Sequence, residues 1–257
     1  MQLIKSDGFT ATQRFKQMIL DYWPLFAGFG LWVAFAYLCG SISFAVVVSK
    51  FFGLSDPRTF GSHNPGATNV LRTGHKGAAL LTLFMDGFKA WLPLVLAKTY
   101  VLQNPFLDLA LKDYSVEMSV WQTLSPWIVG LVALSAFLGH LWPVFFGFKG
   151  GKGVATAAGL LLGMHPVLGL MTLLTWVLVA LTTRYSSLSA LSSAVLAPLY
   201  LVLGSAYLWG EPGVDFVPWP MIIVSSIMAL LLIYRHKDNV VRLMRGEESK
   251  IFSKKKG

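Results

Sequence analysis

The sequence is short of charge, of acid in particular, and of cysteine. Charged residues are 13% of its 257 positions, about half of the roughly 25% found in soluble domains. That shortage excludes a water-soluble globular domain and a disordered chain. Acidic residues number 12 against 21 basic ones, a formal net charge of +9, and in so apolar a chain a basic excess first reports membrane orientation. The single cysteine, Cys39, lies in an apolar run, so neither an intrachain disulfide nor a CxxC metal site is available. The five histidines form no HExxH or HxH pair, and no metal site is expected. A cleavable signal peptide is not expected either, because Lys5, Asp7, Arg14, Lys16 and Asp21 precede an apolar stretch too long for a signal core. No internal repeat is visible, so the repeat signature of many transporters is missing.

What is present is apolar. Hydrophobic residues make up 55%, aromatics 14%, and the mean hydropathy is +0.62. A spanning helix needs about 20 mostly apolar residues, and segments 24–49, 77–97, 126–146, 188–208 and 217–234 qualify. The run 154–183 is long for one helix and short for two. His165-Pro166 interrupts it, and proline removes a backbone donor and restricts its predecessor.

Charge arbitrates. With two spans in that run and the C-terminus inside, segments 50–76, 147–153, 184–187 and 235–257 face the cytoplasm with fifteen basic residues, against five outside. One span would put either the basic tail or the basic 50–76 segment outside. The positive-inside rule therefore predicts an all-α polytopic membrane protein with seven transmembrane helices, N-terminus outside and C-terminus cytoplasmic. Residues 1–23 read as an N-terminal extension, 24–234 as the membrane domain and 235–257 as a basic tail. Within the extension, residues 9–23 mix charge with Phe, Ile, Tyr and Trp, as in a short interfacial helix or an ordinary polar tail.

The polar clusters all fall on the predicted cytoplasmic face. Residues 56–77 read DPRTFGSHNPGATNVLRTGHKG, with glycines, short hydroxyl and amide side chains, two arginines and a lysine. Converging backbone N–H groups and guanidinium suit an anion, although turns use the same small residues. Residues 147–156, GFKGGKGVAT, set Lys149 and Lys152 in a glycine run before a helix start, as phosphate sites do. It is not a Walker A loop, since Phe146 stands where Lys152 would need the first glycine. RYSSLSA (184–190) and YRHKDN (234–239) add serines, a histidine and an asparagine at the same boundary. Asp86 and Lys89, three apart within the second span, share a helix face and read either as an ion pair locking helix packing or as a functional pair.

At these residues the chain resembles a family. GSISF (40–44), GSHNPGATN (61–69), MDGFKA (85–90), HLWPVFFGFKGGKGVAT (140–156), RYSSLSA and YRHKDNVVRLMRGEE are similar to blocks of the bacterial acyl-phosphate–glycerol-3-phosphate acyltransferases. The resemblance implies a seven-span enzyme of the bacterial inner membrane with a cytoplasmic active site. It would pass an acyl group from acyl phosphate to the 1-hydroxyl of glycerol 3-phosphate, giving lysophosphatidic acid and phosphate with no cofactor or metal. It implies membrane lipid and an acyl-phosphate-forming enzyme as neighbours, and no nucleic acid. Three departures stand out: His63 and Ala90 replace glycines of the family blocks, and residues 1–23 are extra. His63 puts a side chain where backbone could approach an anion; it narrows the site or adds a cation.

Carried over residue by residue, the resemblance places Ser62, Arg72, Lys152, His236 and Asn239 in a catalytic role. Asn64, Gly66, Thr68, Asn69, His140, Lys149, Gly150, Gly151 and Ser187 would bind substrate. Lys152 and Arg72 would hold the phosphates and stabilise the departing one, and His236 and Asn239 would orient glycerol 3-phosphate. A mixed anhydride is already activated, so direct transfer is expected, with a substrate phosphate oxygen as proton acceptor and His236 as the alternative base. The His-x4-Asp signature of other glycerolipid acyltransferases is missing, because Thr68, Leu80, Phe145, Leu170 and Val241 stand at the acid position. The competing readings are a transporter of an organic phosphate or lipid, for which a split helix and an intramembrane ion pair would be suited, and an inactive paralogue.

Overall fold

The structure is a computed structural model that describes residues 10–103, 118–207 and 219–251, and all regular secondary structure among them is helical. Long apolar helices are what a lipid environment permits, since each satisfies its own backbone polar groups. The helices are α1 (Ala11–Gly40), α2 (Phe44–Phe51), α3 (Ala67–Leu71), α4 (Lys76–Gln103) and α5 (Met118–Leu141). After a 3-10 turn at Val144–Phe146 come α6 (Val154–Met164), α7 (Pro166–Thr183), α8 (Ser186–Tyr207), α9 (Trp219–Arg235) and α10 (Lys237–Met244).

Among the described residues four helices are long and apolar enough to cross a membrane, and six spans result if each bent pair counts as one. One such pair corrects a sequence expectation. Segment 24–49 was expected to be a single span, but the chain breaks after Gly40 and α2 leaves at 44° to the end of α1. Residues 11–23 continue without interruption into α1, whose N-terminus carries a capping box between Thr10 and Gln13. The span expected at 126–146 is found as Ser125–Phe146; α5 begins before it at Met118 and stops at Leu141 before Pro143, and the 3-10 turn completes the run. The break expected at His165-Pro166 is present, with His165 extended at φ −152° and Pro166 opening α7.

Helices α4, α6, α7, α8, α9 and α5 pack in that order round a closed ring, with α1 laid against α4 and α5. Phe137 and Val132 of α5, Leu94 of α4, Leu160 of α6 and Leu232 of α9 meet in the buried core. Two close approaches depend on missing side chains, as is common between membrane helices. A Cβ on Gly159 would strike the Gly87 backbone, and one on Gly40 would strike that of Ala136. The ring brings the loops at 52–66 and 142–153, the start of α8 and the chain around α10 to one end of the molecule.

Candidate active site

These loops close over a cavity of about 2240 Å³. Its polar lining comes from the loops and its apolar lining from deeper along the ring, including Phe88 and Trp91 of α4, Leu161 of α6, Ala194 and Ala197 of α8 and Met228 of α9.

The first loop is folded around one side chain. Buried Asn69 donates Nδ2–H to the carbonyls of Pro57 (2.6 Å) and Phe60 (3.1 Å), and its Oδ1 accepts the Ser62 N–H (3.1 Å). Asn69 is thus a clamp on the loop, while the Ser62 hydroxyl, Thr68 and the Arg72 guanidinium stay exposed along the cavity wall. His63 sits in the left-handed region at φ 53°, with Nδ1 3.1 Å from the Arg58 carbonyl. Glycine adopts that backbone freely, whereas a side chain there is strained.

The second loop is seated on α5. The Gly151 N–H donates to the His140 carbonyl (3.2 Å), and a Cβ on Gly151 would collide with the His140 ring. Arg235, at the end of α9, donates to the Gly150 (2.6 Å) and Gly151 (3.1 Å) carbonyls. With those carbonyls tied back, Lys152 projects into the cavity. Behind the loop, buried Lys89 lies 2.8 Å from Asp86 Oδ1, donates to the Ile42 carbonyl (2.6 Å) and faces His140 Nδ1 at 3.0 Å. The sequence left Asp86–Lys89 open between a packing lock and a functional pair; the pair is an ion pair, and Asp86 also borders the cavity.

The third wall is a network around Glu248. Lys152 Nζ donates to Asn239 Oδ1 in a short contact, and Asn239 Nδ2 donates to Glu248 Oε1 (2.6 Å). The Ser187 hydroxyl donates to the same oxygen (2.8 Å), and Arg242 Nε to Glu248 Oε2 (2.8 Å). Arg72 reaches across to Ser249 (3.1 Å), and the Ile251 N–H meets the Arg184 carbonyl (2.7 Å), so residues 248–251 cross the cavity mouth as a strap. Burial, with the nearby Arg242 charge, pushes the Lys152 ammonium down to about 8. Burial would raise the Glu248 carboxyl, but hydrogen bonds from Asn239, Ser187 and Arg242 outweigh it and hold it below its ordinary value. His236, buried beside the network, has Nδ1 2.8 Å from the Leu232 carbonyl, which makes Nδ1 the donor and leaves Nε2 as an acceptor.

A cationic cradle at the mouth of an apolar cavity suits a ligand with an anionic head and a hydrocarbon tail. The glycerol-3-phosphate acyltransferase family model matches residues 30–246. The chain belongs to that family. A glycerol-3-phosphate acyltransferase of Bordetella petrii is 52% identical, covering 87% of this chain and 93% of its own. Another family member, from Albidiferax ferrireducens, is 44% identical over 94% of this chain and 95% of its own. The crystal structure of PlsY (YgiH), an integral membrane glycerol 3-phosphate acyltransferase, in its glycerol 3-phosphate form superposes with a TM-score of 0.68 at 34% identity, covering 87% of this chain and 96% of that one. Its lysophosphatidic acid form gives 0.67 at 32% identity.

In this acyltransferase, thirteen of the fourteen residues singled out in the sequence line the one cavity: Ser62, Asn64, Gly66, Thr68, Asn69, Arg72, His140, Lys149, Gly150, Lys152, Ser187, His236 and Asn239. Gly151 is the exception, packed behind the wall on the His140 ring. Glu248, Arg242 and Arg235 were missed, though all three stand in the block YRHKDNVVRLMRGEE. The available signal was an acid pair in a basic tail, since a carboxylate amid so many cations has partners waiting.

Proposed function

We propose that this chain catalyses the first acylation of phospholipid synthesis, moving an acyl group from acyl phosphate to the 1-hydroxyl of glycerol 3-phosphate. The products are 1-acyl-glycerol 3-phosphate and inorganic phosphate. As a member of its family the chain is a glycerol-3-phosphate acyltransferase; acyl phosphate as donor is the finer part of the proposal. The observation that carries it is the convergence of Lys152, Arg72, Arg242 and Ser187 on one cavity with an apolar body. Both substrates and the leaving group are phosphates, and the donor carries a hydrocarbon chain.

In this reading the acyl chain lies in the ring and its phosphate at the glycine loop. The glycerol 3-phosphate hydroxyl attacks the acyl carbon, the new ester C–O bond forms, and the bond from acyl carbon to phosphate oxygen breaks. Lys152 and Arg72 stabilise charge on the departing phosphate. A phosphate oxygen takes the hydroxyl proton, with His236 Nε2 the alternative acceptor. His236 and Asn239 orient the acceptor at the foot of the strap. The membrane domain 24–234 crosses the bacterial inner membrane seven times with this site on the cytoplasmic side. The basic residues of 50–76, 147–153, 184–187 and 235–257 support that orientation. Seven crossings require the eleven-residue α6, about 16 Å long, to count together with the glycine loop before it.

The test is acyl transfer by the purified chain, with glycerol 3-phosphate and either palmitoyl phosphate or palmitoyl-CoA. Lysophosphatidic acid from the phosphate donor alone, lost in Lys152→Ala, is the expected result. Product from the CoA ester would overturn the donor assignment, and no product from either would overturn the activity.

A further inference from the structure

We infer that Lys89, held by Asp86, fixes His140 as an Nε2–H hydrogen-bond donor toward the phosphate-bearing substrate, an inference that rests on the function proposed above. The argument begins with donor counting. Lys89 is 5% exposed and Asp86 3%, and their 2.8 Å contact keeps the amine an ammonium inside the protein. An ammonium has three donors and no acceptor. His140 Nδ1 faces it at 3.0 Å, well inside the 3.8 Å to Asp86 Oδ1, so Nδ1 is assigned as the accepting nitrogen. A neutral imidazole then carries its proton on Nε2, and a doubly protonated ring would set two cations against each other.

The other side of the ring shows where that proton points. Nε2 has no hydrogen-bond partner among the described residues, and a Cβ on Gly151 would lie 2.3 Å from it and 3.0 Å from the Pro65 carbonyl oxygen. His140 itself lines the cavity. The ring therefore offers one donor at the seam between the glycine loop and the loop that carries Ser62. The pair is built into the fold around it. Lys89 also donates to the Ile42 carbonyl, in the break between α1 and α2. The Thr156 hydroxyl donates to the Asp86 carbonyl (3.1 Å). Lys89 does not line the cavity, so it acts through His140 as a positioning residue.

The test starts on the unaltered chain, labelled with ¹⁵N-histidine in lipid nanodiscs, with the His140 signals assigned by their loss in His140→Gln. The expected spectrum has a protonated Nε2 and an unprotonated Nδ1; the opposite tautomer, or a cationic ring, overturns the inference. Kinetics supplies the second reading. In His140→Gln an amide N–H reaches the place of Nε2–H and needs no partner to set a tautomer. Lys89→Met should lower kcat/KM for glycerol 3-phosphate by about 10- to 100-fold in the natural background, but by no more than about twofold in His140→Gln. Equal losses in both backgrounds would mean that Lys89 serves packing alone, and would overturn the inference. If Lys89→Met does not fold, the spectrum of the unaltered chain decides. Product formation with the wrong tautomer removes the inference and leaves the function standing. The expected tautomer in a chain that makes no lysophosphatidic acid removes the function beneath it.

Discussion

Lys152 is the residue whose chemistry is most exposed to test. Its lowered value, about 8, comes from burial and then from the Arg242 charge. The ammonium is therefore nearly complete at pH 7, about half lost at pH 8 and lost further above it. The substrate phosphate is already a dianion there, its second proton leaving near pH 6. Glycerol 3-phosphate should bind most tightly near pH 7 and weaken progressively as pH passes 8, by at most about tenfold per pH unit, as titration calorimetry would record. The sign for stability is opposite. Between about 8 and the ordinary lysine value the unfolded chain holds the proton longer, so the empty protein gains stability with pH. Lys152→Arg should be less active, because a guanidinium does not fit a point-charge site, but its remaining binding should show no break near pH 8. His63 gives a second prediction. At φ 53° a side chain costs about 1–2 kcal/mol, less for histidine than for a β-branched residue. His63→Gly should keep its thermal midpoint and acyl transfer, whereas His63→Val should lower the midpoint in a thermal unfolding scan. Lys152 and its neighbours were legible because lysines anchoring a membrane edge need no glycines around them. Glu248 was not, because nothing local marks one acid of a charged tail as the centre of a network.

At the scale of elements, the proposed acyl path runs along α8. Ala190, Ser193, Ala194 and Ala197 line the cavity at the i, i+3, i+4, i+7 spacing of a single helix face. Ala197 is eleven residues past the start of the helix, about 16 Å along it. Phenylalanine there should fill the far end of the groove and leave the near end open. Displacing two methylenes at about 0.8 kcal/mol each is worth roughly tenfold. The ratio of kcat/KM for palmitoyl over decanoyl phosphate should therefore fall about tenfold in Ala197→Phe, with the decanoyl rate kept. An equal loss for both donors would mean that the chain runs elsewhere. The strap is the other element with a measurable role. Glu248→Ala leaves Ser187, Asn239 and Arg242 without their shared acceptor, at a cost of about 1–3 kcal/mol, and should lower the thermal midpoint and raise KM for glycerol 3-phosphate together. Helix positions followed from apolar length, and the split at His165-Pro166 from proline. The break at 41–43 was hidden, because Gly40 and Ile42 continue an apolar run and the turn is held by a tertiary partner, Lys89 on the Ile42 carbonyl.

For the whole molecule the question is parity. Among the described residues four helices are long and apolar enough to cross, and the bent pairs raise that to six; the proposed seventh crossing depends on α6, eleven residues long and about half of a 30 Å hydrocarbon core. An even number would leave both ends of the chain on one side, and an odd number separates them. The charge count argues for separation, because the fifteen basic residues of the proposed inner segments include the tail, and basic residues near span ends stay inside. Cys39 is the only natural thiol, so a Cys39→Ser background isolates any introduced one. Single cysteines at Gln13 and Lys250 then report the two ends, and His165→Cys reports the turn between α6 and α7. A membrane-impermeant maleimide added to intact cells should label the cysteines at 13 and 165 and reach the one at 250 only after permeabilisation. Labelling at 13 and 250 from the same side would make the count even and turn α6 into a re-entrant helix. The cradle itself does not depend on that outcome, because Lys152 enters it from the loop before α6.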